Sequence, residues 1–243
     1  MPTVEWNKRV WGEDHSWSDA GDEWSGMAAY CGQPYAAWKA SLVETYIIPG
    51  ARDARAVEIA PGHGRWTEQL LDVAKTVDVA DINASCLDSC RERFLRHDNI
   101  AYHLTDGRSL DFAAPSSIDF LWSFDSFVHM DPDVIRSYLR EIARVLAPEG
   151  TAIIHHAGKP YWTIAVSPIT RRLGRPGRVM QRVLSQHRLR GDGNRSDVSP
   201  RQVRRWAGEA GLDVVRQMDR WGDSGQYSVA KYRDCITILQ RAR

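Results

Sequence analysis

Residues 56–64 read AVEIAPGHG, a short apolar run with one acid inside it that passes into a turn carrying two glycines. Ala56, Val57, Ile59 and Ala60 suit a strand buried on both faces, as in a parallel sheet. Gly62 and Gly64 give the turn backbone conformations that other residues resist and let a ligand approach the main chain closely. The stretch therefore predicts a strand feeding a ligand-binding loop, with Glu58 orienting that loop from inside. A helix over about 65–73 would turn its first N–H groups toward whatever the loop holds. A dinucleotide fingerprint, G-x-G-x-x-G, needs a third glycine where this chain has Thr67, so the match to NAD binding is incomplete.

Working outward, residues 76–82 (TVDVADI) alternate β-branched and polar side chains and predict a second strand, with Asn83 as N-cap of a helix over 84–96. Residues 99–104 predict a third strand, ending in Thr105-Asp106-Gly107. Residues 118–124 (IDFLWSF) and 151–155 (TAIIH) predict a fourth and a fifth. Between these last two, Asp131-Pro132 opens a helix whose Val134, Ile135, Tyr138, Leu139, Ile142, Val145 and Leu146 form one apolar stripe, stopped by Pro148 and Gly150. Ser199-Pro200 opens another helix, and residues 212–218 and 234–240 predict two final strands. Strand and helix alternate, which demands a parallel sheet covered on both faces.

Two regions break the rhythm. Residues 1–50 hold five of the ten tryptophans, Trp6, Trp11, Trp17, Trp24 and Trp38, and are expected to form a cap on a core domain over 51–243. Its second half, about 33–46, has helical spacing through Tyr35, Trp38 and Leu42, and Pro49-Gly50 should end it. The indoles anchor the cap or offer a wall for sugar rings and cations. Residues 157–198 carry prolines, glycines and many arginines and are expected to form an inserted lid or substrate segment. The stretch 171–205 contains eleven arginines against two aspartates, a surface for an anionic acceptor or a solvated helix.

The net charge of +1 argues against global capture of nucleic acid or membrane. Neither a membrane span nor a secretory leader is legible, so a cytoplasmic protein is expected. Cys31, Cys86, Cys90 and Cys235 fit no metal or redox pattern.

At the carboxyl ends of neighbouring parallel strands, Asp81 and Asp106 should converge on the Gly62–Gly64 loop. Asp81 can accept both hydroxyls of a ribose, and Asp106 the exocyclic amine of an adenine. Over residues 51–243 the chain resembles the class I S-adenosylmethionine-dependent methyltransferases: VEIAPGHG matches the family's first motif, VADI its ribose-binding second, and TDG, with Asp106 and Gly107, its adenine-side third. IDFLWSFDSFVHM and REIARVLAPEG match its fourth motif and the approach to the fifth strand. The resemblance implies an α/β, Rossmann-like seven-stranded sheet, mostly parallel with the last strand antiparallel and helices on both faces, and S-adenosylmethionine as cofactor. Pro61 departs from the glycine or cysteine of many members. The tryptophan-rich start, the 125–129 segment, His155-His156 and GDGNRSD also resemble bacterial sugar O-methyltransferases.

That points to a sugar or oligosaccharide hydroxyl as acceptor, a poor acid that needs a base or a metal. Asp125 and His156 are expected to deprotonate it, with His129 in reserve; strand alternation lets only one of His155 and His156 face the crevice, and His156 is nearer the loop. Asp125 is either a proton acceptor or a ligand of Mg²⁺. A small-molecule acceptor is favoured over RNA, a homodimer is allowed, and an NAD-dependent oxidoreductase or a non-catalytic nucleotide-binding protein are the competing classes.

Overall fold

The structure is a computed structural model and describes residues 3–18, 21–22, 26–159, 172–176 and 195–242. Most of the expected insert 157–198, with the greater part of its arginines, lies outside the described residues, as does Trp24. Among the described residues no helix is long and apolar enough to cross a membrane.

Among the described residues nine strands form in chain order: β1 Arg55–Ile59, β2 Thr76–Asp81, β3 Ile100–Leu104, β4 Ile118–Ser123, β5 Leu146–Ala157, β6 Leu212–Met218, the short pair β7 Arg220–Trp221 and β8 Tyr227–Ser228, and β9 Asp234–Arg241. Seven of them make one sheet in the order β3-β2-β1-β4-β5-β9-β6. Pairing is parallel from β3 through β5, while β9 runs antiparallel to both β5 and β6. This is the Rossmann-like methyltransferase topology. β1 is central because its residues are apolar on both sides: Ala56 packs into one layer and Val57 and Ile59 into the other.

The first layer holds α3 Tyr35–Leu42, α4 Ile48–Ala51, α5 Thr67–Leu71 and α6 Ala84–Arg93, preceded in the chain by α1 Val4–Arg9 and α2 Gly26–Tyr30. Trp38, Leu42, Leu70, Leu87 and Cys90 meet Val77, Val79, Phe120, Trp122 and Ile153 there. The second layer holds α7 Pro132–Val145 and α8 Pro200–Glu209, whose Ile135, Leu139, Ile142, Val203 and Ala207 meet Val57, Leu121, Ala152 and Ile154. Both helices start as their sequences dictate. Asp131 accepts from the N–H groups of Asp133 and Val134 at 2.9 and 3.1 Å, and Ser199 with Gln202 forms a capping box.

Two local expectations are corrected and a third is refined. Pro49-Gly50 does not end the helix: a wide π turn over Val43–Ile47 lets Pro49 stand at the start of α4, where its missing N–H costs nothing. Gly50 is there for contact, since a Cβ would lie 2.3 Å from the Phe120 ring. Asn83 holds the N-cap position of α6 as expected, but its side chain makes no cap bond; it faces Gly12, where an added Cβ would lie 2.7 Å from Asn83 Oδ1. Finally, β5 begins at Leu146 rather than near 151, because the chain bends directly from α7 into pairing with Ile118 across a register shift.

Candidate active site

The carboxyl ends of β1, β2 and β4 open into a cavity of about 1090 Å³, mouth included. One side is lined by Ala60, Pro61, Gly62, Asp81, Ile82, Asn83, Cys86 and Gly107. The other is lined by Arg65, Trp66, Phe124, Asp125, Ser126, His129 and Arg195. Val4, Asn7, Trp11 and Trp17 close over them.

Glu58 and Asp81 build the loop side. Glu58 is buried and accepts the Thr67 hydroxyl at 2.5 Å, tying β1 to α5 beyond the loop. Burial pushes its carboxyl up to about 7, against the lowering pull of Thr67 and Arg65. A carboxyl raised in this way contributes stability that is full below its unfolded value of about 4.5 and lost as pH rises through about 7. Glu58→Gln keeps an acceptor for Thr67 without the charge. Comparing urea midpoints at pH 4.5 and 8, the variant should therefore gain on the wild type by about 1–3 kcal/mol at the higher pH. A difference that does not change with pH would show that Glu58 is not the group responsible.

Asp81 ends β2 with its carboxylate turned back on the backbone, accepting the Asn83 N–H at 2.8 Å and also bonding the N–H groups of Ile82 and Gly62. Burial raises it to about 6, those three bonds lowering it only in part. Gly62 has φ 57°, and a Cβ there would lie 2.7 Å from the Trp17 ring, so the glycine's open face is what seats the indole. Asp106 does not join them. It is exposed and accepts from the N–H groups of Arg108 and Ser109 at 2.8 and 2.9 Å, closing its own turn. Its neighbour Gly107, with φ 76°, is the residue that lines the cavity, against Ile82.

The opposite side rests on a buried chain of alternating charge. Arg65 Nη2 lies 2.5 Å from Asp125 Oδ2, and Asp125 Oδ1 lies 3.1 Å from His155 Nδ1. His155 Nε2 lies 3.5 Å from Asp234 Oδ2, an electrostatic contact rather than a hydrogen bond, and Arg195 holds Asp234 through Nε and Nη2 at 3.1 and 2.9 Å. Burial alone would raise Asp125, but Arg65 and then His155 hold it well below the usual carboxylate range. Burial would lower His155, and the two carboxylates more than offset that, so its pKa is raised. Asp125 itself stands at φ 64°, a left-handed conformation that aspartate tolerates better than most residues.

His156 is therefore not the histidine of the site. It points across the sheet, accepting the Thr237 hydroxyl at Nε2 (2.6 Å) and facing the Ala157 carbonyl at Nδ1 (2.8 Å), and burial lowers it to about 4. A neutral ring with a proton on Nδ1 satisfies both contacts. His156→Ala leaves a hole and takes from the Thr237 hydroxyl the acceptor of its proton, although Thr237 still accepts from Gln217, so it should cost about 2–4 kcal/mol in a urea titration while folded protein keeps its turnover. Loss of turnover without loss of stability would return His156 to the chemistry.

The Mg²⁺ expectation also fails on geometry. Both oxygens of Asp125 face Arg65 and His155, and among the described residues no group of three or more His, Cys, Asp or Glu side chains could hold a metal. A hard divalent ion needs several oxygen ligands, and this donor set does not fit one.

Trp11 and Trp17, among the indoles that the sequence offers as an anchor for the cap or a wall for a ligand, line the cavity. Trp17 Nε1 donates to the Trp11 carbonyl (2.8 Å), Trp11 Nε1 to Asn7 Oδ1 (3.0 Å), and Asn7 Nδ2 to the His129 carbonyl (2.8 Å). This relay locks residues 3–18 over the cavity and brings the Trp11 ring to 5.0 Å from His129. Arg65 and Arg195 were missed as cavity residues; the signal for Arg65 was an arginine placed directly after the glycine loop.

Residues 56–150 match the family model of a methyltransferase domain. That span runs from β1 through the start of β5 and contains Glu58, Gly62, Asp81, Gly107, Asp125 and His129. Over 68 residues the chain is 32% identical to ribosomal RNA small subunit methyltransferase A of Chromohalobacter salexigens, covering 28% of this chain and 24% of that protein. Among solved structures, the CcbJ methyltransferase from Streptomyces caelestis aligns with a TM-score of 0.59 at 18% identity, covering 98% of this chain and 96% of that one. The N-methyltransferase NodS from Bradyrhizobium japonicum, solved with S-adenosyl-L-homocysteine, aligns at 0.56 and 17%, covering 86% and 88%. At these identities the structural likeness is one of fold. The residues matched by that family model thus supply the loop side of the cavity, and residues before and after them supply Trp11, Trp17 and Arg195.

Proposed function

We propose that the chain is an S-adenosylmethionine-dependent methyltransferase whose acceptor is a hydroxyl of a sugar or oligosaccharide, with residues 1–50 as a cap over the site. The observation that carries this is the convergence in one cavity of Gly62 and Asp81 with an indole wall and a charged floor. Asp81 would hold the ribose hydroxyls, the Gly62 backbone would meet the amino-acid end, and Ile82, Asn83 and Gly107 would flank the base. The sulfonium supplies an electrophilic methyl group, so the chain's own work is to align the acceptor and take its proton.

Trp11 and Trp17 offer flat apolar faces for a sugar ring, and Arg65 and Asp125 offer a donor and an acceptor for its hydroxyls. With Asp125 held ionised by Arg65, His129 is the group in the cavity suited to accept the hydroxyl proton. Calorimetry with S-adenosylhomocysteine and with NAD(H) tests the cofactor, and methyl transfer from labelled S-adenosylmethionine to sugars, phenols and RNA tests the acceptor. Binding of NAD(H) alone would end the methyltransferase reading. Label confined to RNA, the substrate in the name of the Chromohalobacter relative, would replace the sugar.

A further inference from the structure

We propose that the acceptor carries an anionic group, a carboxylate or a phosphate, which the guanidinium groups of Arg65 and Arg195 receive in the cavity. This deepens the methyltransferase reading and rests on it. Arg65 is only 5% exposed and lines the cavity. Its Nη2 is taken by Asp125, while its Nη1 is buried with no partner at hydrogen-bond distance among the described residues, although the Tyr35 hydroxyl and Asp22 lie near enough to act on the guanidinium. A guanidinium presents its N–H groups in a planar fork matched to carboxylate and phosphate, and a buried donor left unmade is costly. Its head lies 4.9 Å from the Trp66 ring and 5.9 Å from Phe124, cation–π contacts that favour its place at the cavity.

Arg195 lines the same cavity, fixed by Asp234 and by the Tyr232 ring 4.2 Å away. Along the chain from Arg65 to Arg195 three basic groups alternate with two acidic ones, which holds both guanidinium groups at the cavity floor. The other carboxylates on the lining, Asp81 and Asp131, keep their charge while accepting backbone N–H groups, so the donor atoms of the two guanidinium groups, not a net positive charge, are what would recognise an anion. A hydroxyl of a neutral sugar can accept a single N–H of Arg65, whereas a carboxylate or phosphate can accept from both guanidinium groups through charge-assisted hydrogen bonds. The rival source of the same chemistry is the cofactor's own carboxylate, since Arg65 follows the glycine loop directly.

The test is calorimetry of the full chain saturated with S-adenosylhomocysteine, using glucuronate, glucose 6-phosphate and methyl glucoside. We expect at least one anionic sugar to bind about tenfold or more tightly than the neutral one. Arg65→Gln should remove that preference, Arg65→Lys should restore part of it, and S-adenosylhomocysteine affinity should stay within about threefold of wild type. The comparison of the three sugars on the wild type stands even where a variant fails to fold. Equal binding of anionic and neutral sugars, or binding of none, overturns the proposal. So does an Arg65→Gln variant that loses S-adenosylhomocysteine but keeps 5′-methylthioadenosine, which lacks the carboxylate, because Nη1 then serves the cofactor. Glucuronate binding by a wild-type protein that takes no S-adenosylhomocysteine fails the methyltransferase reading while upholding the anion site.

Discussion

Asp81→Ala is expected to weaken S-adenosylhomocysteine binding by about a hundredfold or more, measured by calorimetry at pH 8. The carboxylate is buried at the end of β2, and among the described residues backbone N–H groups, not a cation, compensate its charge. Two ribose hydroxyls donating to it would each form a charge-assisted hydrogen bond of about 1.5–3 kcal/mol. Removing the carboxylate also frees the Asn83 N–H that shapes the wall beside the base. The pH dependence has a definite sign. Hydroxyl donors favour the ionised carboxylate, and burial raises its pKa to about 6, so wild-type affinity should fall as pH drops through that value. In the alanine variant affinity should be weak and flat from pH 8 to 5. A variant that binds as the wild type does would move the ribose away from β2.

The sheet was legible because its strands carry their own signals. Ala56, Val57 and Ile59 sit in a run too apolar for a one-sided strand, and Asp131-Pro132 and Ser199-Pro200 announce helices that the structure caps at those residues. The two histidines were not legible. The sheet is covered on both faces, so Ile153 and Ile154 are both buried, in opposite layers, and apolarity gives no parity for His155 and His156. What separates them is long-range: Thr237 on β9 takes His156, and Asp125 and Asp234 take His155. Asp106 misled because a strand-end acid can serve a ligand or its own turn, and only the geometry of Arg108 and Ser109 decides. The seating of Trp11 and Trp17 depends on Asn7 reaching His129, a contact spanning 122 positions in sequence that no local pattern carries.

His129→Ala is expected to lower methyl transfer by about two to four orders of magnitude while S-adenosylhomocysteine binding stays near wild type. His129 lines the cavity, 7% exposed, between Met130 and the Asp125–Ser126 corner, with the Trp11 ring at its side. Asp125, the first choice from sequence, is the poorer base because Arg65 and His155 favour its ionised form, and a carboxylate so stabilised has little affinity for a hydroxyl proton. Its role in this geometry is to hold Arg65 and the imidazole of His155 in place. The two residues therefore separate in the pH profile. Wild-type kcat should rise with pH along a limb set by the base. Asp125→Asn should slow turnover but keep that limb, and should also cost stability, since it strands the buried guanidinium of Arg65. His129→Ala should abolish the limb and leave the urea midpoint less affected than Asp125→Asn does. If instead the histidine variant keeps both its limb and its rate while Asp125→Asn loses both, the proton goes to Asp125, and the ion pair with Arg65 must open when the acceptor binds.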